Sequence, residues 1–221
     1  MGSNSSPIVM VIKWRYVSIS LLLTIVCGAV LLGPIMSNVE HPKYIVIEKH
    51  GSIEWRKYDI RIAANVIVSG SREESIRSGF QQLADYIFGS NTVLDSSSKE
   101  KSESTFTNEK IAMTAPVEQL GEGNQWVISF NMPREYSLET LPKPNNPQVS
   151  ITNKPAQNVL VIKFSGSNST ENVQSHAEKL KTFAKQNSIV INGNPIYAFY
   201  NPPWTLPILR RNEVMFEIDA N

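Results

Sequence analysis

The chain has 221 residues, 41% hydrophobic and 19% charged, an ordinary globular composition with material for one well-buried domain and an appendage. Its 21 basic and 20 acidic residues leave a formal net charge of +1, which gives no bulk attraction to nucleic acid. A single cysteine, Cys27, excludes an intrachain disulfide framework and a cysteine-based zinc site. The three histidines, His41, His50 and His176, lack the close spacing of a metal site.

Between residues 16 and 39 no charged residue occurs, and the run is long enough to cross a ~30 Å hydrocarbon core as a helix. Lys13 and Arg15 precede it, so the positive-inside tendency puts the N-terminus in the cytoplasm and everything after Ser37 outside. A cleaved signal peptide is the alternative, because Cys27-Gly28-Ala29 offers small residues at a cleavage spacing. Cutting there would leave an apolar Val-Leu-Leu terminus. The expected organisation is a cytoplasmic tip and transmembrane or signal helix over residues 1–40, followed by one domain over 41–221. That domain is expected to be membrane-anchored on the extracytoplasmic side, or secreted if the helix is cleaved.

Residues 43–69 alternate as strands do, through Tyr44, Val46 and Glu48, then 55–58, then 62–68, with Gly51 and Asp59 as punctuation. Ser71 is placed to cap a helix whose first turn holds Glu73 and Glu74 and whose Ile76, Phe80, Leu83 and Ile87 share one face. Gly89 ends it. The polar stretch 90–108 reads as an exposed loop, and two strands are expected at 110–119 and 125–132, the second stopped by Pro133. A proline-rich crossing (142–147) leads to a strand at 158–164.

The second half repeats the first. Ser165-Gly166-Ser167 echoes Ser69-Gly70-Ser71 in opening a helix, which carries Val173, Ala177, Leu180 and Ala184 on one face. Tyr200 to Trp204 falls where Met113 to Val117 fell, since Pro116 to Val127 and Pro203 to Val214 are equally spaced. The expected fold is therefore α+β: a duplicated βαββ unit forming a distorted antiparallel β-barrel with two helices. A groove between helix and sheet in each half would be a natural small-molecule site.

No Gly-x-Ser-x-Gly elbow, phosphate loop or dinucleotide fingerprint is present. Glu118, Glu213 and Glu217 lie on expected strands and are read as solvent-facing, which leaves a small-ester hydrolase without a placed acid-base pair. His176 borders the apolar stripe of the second helix, a position that suits either a heme iron ligand or a hydrogen-bonded surface histidine.

Four blocks carry a family resemblance: 54–62 (Glu-Trp-Arg-Lys-Tyr-Asp-Ile-Arg-Ile), 80–91 (Phe-Gln-Gln-Leu-Ala-Asp-Tyr-Ile-Phe-Gly-Ser-Asn), 110–117 (Lys-Ile-Ala-Met-Thr-Ala-Pro-Val) and 200–214 (Tyr-Asn-Pro-Pro-Trp-Thr-Leu-Pro-Ile-Leu-Arg-Arg-Asn-Glu-Val). With these the chain resembles the SOUL heme-binding protein family from about residue 44 to 218. The resemblance implies a barrel of eight or more antiparallel strands with two helices. It also implies non-enzymatic, reversible binding of heme or a related tetrapyrrole in a shallow groove beside the first helix. Carried over by position, the groove involves Arg77, Phe80 and Ala84 on that helix and Trp204 in the Pro-Pro loop, with Arg77 pairing a propionate and the others covering the macrocycle. Asp85 and Thr205 stand where some members carry basic residues, which weakens propionate recognition. The duplicated unit also resembles the effector-binding domains of bacterial regulators, which take lipophilic cations, and Asp85 suits that alternative.

Overall fold

The computed structural model describes residues 39–93 and 107–219. Eleven strands and two helices follow the alternations of the sequence: β1 (Tyr44–His50), β2 (Ile53–Tyr58), β3 (Arg61–Ser69), α1 (Arg72–Ile87), β4 (Asn91–Thr92), β5 (Val117–Glu122), β6 (Gln125–Asn131), β7 (Lys143–Pro144), β8 (Ser150–Lys154), β9 (Gln157–Phe164), α2 (Thr170–Gln186), β10 (Ile191–Phe199) and β11 (Asn212–Ile218). Nine form one sheet in the order β1-β2-β9-β11-β10-β5-β6-β3-β8, antiparallel throughout; β4 and β7 pair separately.

The order has a pseudo-twofold centre between β10 and β5, where Tyr197 pairs with Gln119 and Ala198 with Glu118. Outward from it run β11-β9-β2 on one side and β6-β3-β8 on the other. Each repeat thus has five elements rather than four, and its first strand is exchanged: β2 pairs with β9 of the other repeat, and β8 pairs with β3. Residues 59–60 link β2 to β3, and residues 155–156 link β8 to β9. Five strands separate β2 from β3 in sheet order, so so short a link forces the sheet to curl.

The distorted antiparallel barrel expected is a curled half-barrel, open between two free edges, β1 and β8. The helix over 1–40 lies outside the described residues apart from Val39 and Glu40. Among the described residues no helix is long and apolar enough to cross a membrane.

Alternation gives the sheet two faces. One carries Ala64, Val66, Ile128, Phe130, Leu160, Val214 and Phe216, and packs under both helices as the main core. The other carries Tyr58, Val159, Val161, Ile196, Ala198 and Met215 together with a set of buried charges. Arg61 lies over the Tyr58 ring at 5.0 Å although their strands are far apart in the sheet, so this second face lines the inside of the curl.

Ser71 caps α1 as expected, in a reciprocal capping box with Glu74. The cap of α2 is Ser169, two residues beyond the Ser167 of the echoed triplet; the Ser167 hydroxyl instead reaches the Ser169 hydroxyl. The strand expected at 110–119 begins only at Val117. Before it the chain makes an isolated parallel bridge from Thr114 to Glu40, a pairing partner remote in sequence. The equation of 113–117 with 200–204 also fails: the former runs into β5 at Val117, whereas the latter follows β10.

The helix N-termini meet over the pseudo-twofold centre. Arg72, 5% exposed, donates to the Thr170 hydroxyl (3.0 Å), to Gln119 Oε1 (3.1 Å) and to the Asn168 carbonyl. The Glu73 carboxylate accepts from the Thr170 amide and hydroxyl, and the hydroxyl bond lowers its pKa to about 2.

Candidate functional site

The outer flank of α1 is fixed by a glycine. Gly79 sits directly over Ile128, and a Cβ there would fall 2.3 Å from the Ile128 side chain, so the helix settles on the sheet at that point. The buried line is Arg72, Ser75, Gly79, Leu83, Tyr86 and Ile87, rotated from the expected stripe of Ile76, Phe80, Leu83 and Ile87. Phe80 is displaced to the side of the contact. Its ring meets Phe130 edge-on at 5.4 Å, and it keeps 37% exposure.

Arg77 is exposed and Ala84 half-buried, and with Phe80 they occupy positions i, i+3 and i+7 of one helix flank. An apolar ring is thus flanked by an exposed cation, whose charge also acts on Glu74, and a small residue. Asp85 is exposed next to Ala84.

Trp204, 60% exposed, stands on the loop between β10 and β11 with Leu206, Ile208 and Leu209 also uncovered. Arg210 braces this loop by donating to the Thr205 and Pro203 carbonyls at 2.7 and 2.5 Å. Thr205 itself is 3% exposed, so the position at which some family members place a cation faces inward in this chain. Among the described residues no ring contact or hydrogen bond joins Trp204 to α1.

His176 lies on α2, the other helix. Its Nδ1 is 2.8 Å from the Asn172 carbonyl, to which it donates, and its ring stacks on Phe164 at 3.8 Å. His50 is bound to Glu48 at 2.6 Å on the exposed β1–β2 hairpin. Among the described residues no cluster of three potential metal ligands occurs.

Inside the curl the sequence reading needs correction. Glu118 and Glu213 are 4% and 0% exposed and not solvent-facing; Glu217 alone of the three is exposed. Curling covers the second face, so alternation no longer separates core from solvent. Arg56 grips Glu213 with Nη1 to Oε2 at 2.8 Å and Nη2 to Oε1 at 2.9 Å, and sends Nε to Glu54 at 2.8 Å. Arg211 and the Tyr200 hydroxyl complete the Glu213 shell at 2.7 and 2.8 Å, and Lys163 completes that of Glu54.

Burial alone would raise the Glu213 pKa, but the Arg56 hydrogen bond and the charges of Arg56 and Arg211 bring it below the usual range. For Glu118, burial is likewise outweighed by the Lys154 ammonium at 2.6 Å and by Arg61, which take it down to about 2. Burial pushes the Tyr58 hydroxyl up to about 12. Every carboxylate of the interior therefore holds its charge against a cation and has no proton to give near neutral pH. The signals for this network were in the sequence: Glu54-x-Arg56-x-Tyr58 and Arg211-x-Glu213 each put alternating polar groups on one strand face.

The comparisons place the fold and the sequence together. The profile of the SOUL heme-binding protein family matches residues 39–217, and the chain belongs to that family. No curated protein matches it. Among solved structures it is similar to the EcmrR C-terminal domain, with TM-score 0.54 and 8% identity over 80% of this chain and 99% of that one. It is also similar to EcmrR in a DNA complex, with TM-score 0.51 and 14% identity over 99% of this chain and 74% of that one. A hydrolase from Listeria innocua gives TM-score 0.49 and 11% identity over 78% and 94% of the two chains. At these identities the likeness is one of fold.

Proposed function

We propose that the domain reversibly binds heme or a related tetrapyrrole on the outer flank of α1, as a non-enzymatic carrier, buffer or sensor. The apolar run between residues 16 and 39 holds it at a membrane with the domain on the extracytoplasmic side, or is removed as a signal peptide. The observation that carries the binding reading is Phe80, a phenyl ring left 37% exposed on the flank of α1 beside the close Gly79–Ile128 contact. A flat macrocycle needs such an apolar platform with a cation at its edge, and Arg77 supplies the cation one turn away. Ala84 leaves clearance for the ring, and Trp204 on the exposed Pro-Pro loop gives a second aromatic surface.

His176 stands apart from this reading, since its Nδ1 is committed to Asn172 and its ring face to Phe164. Binding of lipophilic cations inside the curl is less well supported, because Arg56, Arg211 and Lys154 already neutralise the buried carboxylates. Ester hydrolysis lacks a group that titrates near neutral pH among those carboxylates.

Hemin titrated into the full-length chain is expected to give a saturable Soret shift near one equivalent. Phe80→Ala and Arg77→Ala should each weaken it roughly three- to tenfold, the size of a lost aromatic or charged contact of about 0.5–1.5 kcal/mol, with His176→Ala unchanged. A titration that never saturates, or one indifferent to both α1 substitutions, overturns the proposal.

A further inference from the structure

A cavity of about 560 Å³ opens at one mouth of the half-barrel, away from α1. Its walls are residues 40–43, the β2–β3 link with the start of β3, the end of β6 with residues 132–134 and 136–139, Thr114, and Asn153 of β8. The volume is that of an ordinary small-molecule site.

Arg61 lines this cavity with a side chain only 9% exposed. Its Nε is spent on Asn131 Oδ1 at 3.0 Å, and its Nη2 lies 3.9 Å from Glu118 Oε1. Nη1 is buried and has no hydrogen-bond partner among the described residues. A buried guanidinium donor left unmatched costs free energy, and a native structure rarely leaves one without a purpose. Glu118 cannot meet the need, because it is already held by Lys154 at 2.6 Å and Asn131 at 3.0 Å. One buried carboxylate therefore faces two cations, Arg61 and Lys154, and one positive charge stands in excess.

A second orphan group lines the same cavity. His41 Nε2 is buried without a partner among the described residues, while the ring packs edge-on against Tyr200 at 5.4 Å. Burial and the neighbouring Arg211 charge lower the His41 pKa, so the ring is neutral and offers a hydrogen bond rather than a second charge.

We propose that this cavity is a second ligand site, which takes a monocarboxylate with an apolar body, its carboxylate received by the Arg61 guanidinium and the His41 imidazole. The apolar body follows from the remaining wall, where Ile60, Ile62, Met132, Pro133 and Leu138 contribute. Ile60 at 72% and Leu138 at 44% exposure mark the open side. Single charge follows from the rim: Glu40, Asp59 and Glu139 line the cavity against the cations Lys43 and Arg134, with Arg134 paired to Glu40 at 2.7 Å, so the rim adds no net positive charge to receive a dianion.

The site is independent of the α1 flank, and its test separates the two. Calorimetric titration of the full-length chain uses 4-phenylbutyrate, with 4-phenylbutylamine and 4-phenylbutyl phosphate as charge controls. Saturable one-to-one binding of the carboxylate is expected, at least tenfold tighter than either control. Arg61→Met should lower the affinity tenfold or more. Leu138→Trp, which fills the open side and leaves Arg61 in place, should do the same, whereas Phe80→Ala should leave it unchanged. Circular dichroism checks that Arg61→Met folds; if it does not, Leu138→Trp decides alone. Absent binding, equal binding of the amine or the phosphate, or carboxylate binding that survives the informative variants overturns the proposal. Since heme itself bears carboxylates, hemin is titrated into Leu138→Trp: retained binding keeps the two sites separate, and lost binding moves heme to this cavity and overturns the monocarboxylate assignment.

Discussion

The two helices occupy equivalent places on opposite halves of the sheet, yet they are used differently. On α2 the inward residues Val173, Ala177, Leu180 and Ala184 are all between 0% and 3% exposed, and His176 beside them is held by Asn172 and Phe164. On α1 the contact is made through Gly79, its first turn is tied down by Gln119 through the Arg72 carbonyl and the Ser75 hydroxyl, and Phe80 is pushed out to the flank. One copy of the unit is packed to completion; the other leaves an aromatic ring in water. Leu83, Tyr86 and Ile87 of α1 are as sealed as the inward residues of α2, so both helices stabilise the fold and α1 in addition presents a surface.

That contrast can be broken most directly by truncating one large apolar side chain on each helix. Leu180→Ala should cost about 2–5 kcal/mol in urea unfolding, the usual range for emptying a sealed core position, and Phe80→Ala at most about 1 kcal/mol. Equal losses would mean that Phe80 serves the core as Leu180 does. Gly79→Ala tests what displaces Phe80: the new methyl meets Ile128, so a loss of about 1–3 kcal/mol is expected, together with altered fluorescence of a bound porphyrin as the helix lifts.

The smallest effect concerns the interior of the first half. The folded pKa of Glu118 is about 2 against an ordinary 4.5, so its contribution to stability is complete above about pH 4.5 and is lost as the pH falls toward 2. Lys154→Ala removes the nearest cation and should move the onset of acid unfolding up by about one pH unit, with about 1 kcal/mol or less lost at pH 7 once solvent screening of the part-exposed lysine is counted. An unmoved acid transition would show that Arg61 and Asn131 hold the carboxylate unaided.

Much of the fold was legible because its elements obey local rules. Alternation placed β1, β2, β3, β6 and β9 within a residue or two, and the Ser71 cap with two following glutamates fixed the start of α1. What escaped was nonlocal. The segment before β5 bridges Glu40, far back in the chain, so its apolar residues did not make the expected strand. The close contact of α1 runs through Gly79 in place of Phe80 while Leu83 and Ile87 stay buried, a shift that no count of apolar residues at helical spacing reveals. Of the site residues expected from the family, Arg77, Phe80 and Ala84 share one flank. The inward-facing charges were missed because alternation names two faces without saying that a curl will cover both.

The exchange of first strands has a consequence for the way the molecule comes apart. With β2 completing the half that holds β9, and β8 completing the half that holds β3, a chain severed between the repeats would leave each fragment missing a border that only the other supplies. Neither repeat is a module that could be lifted out and expressed alone, and loosening either one unseats the other. The two copies are woven into a single fabric, which is expected to melt in one step.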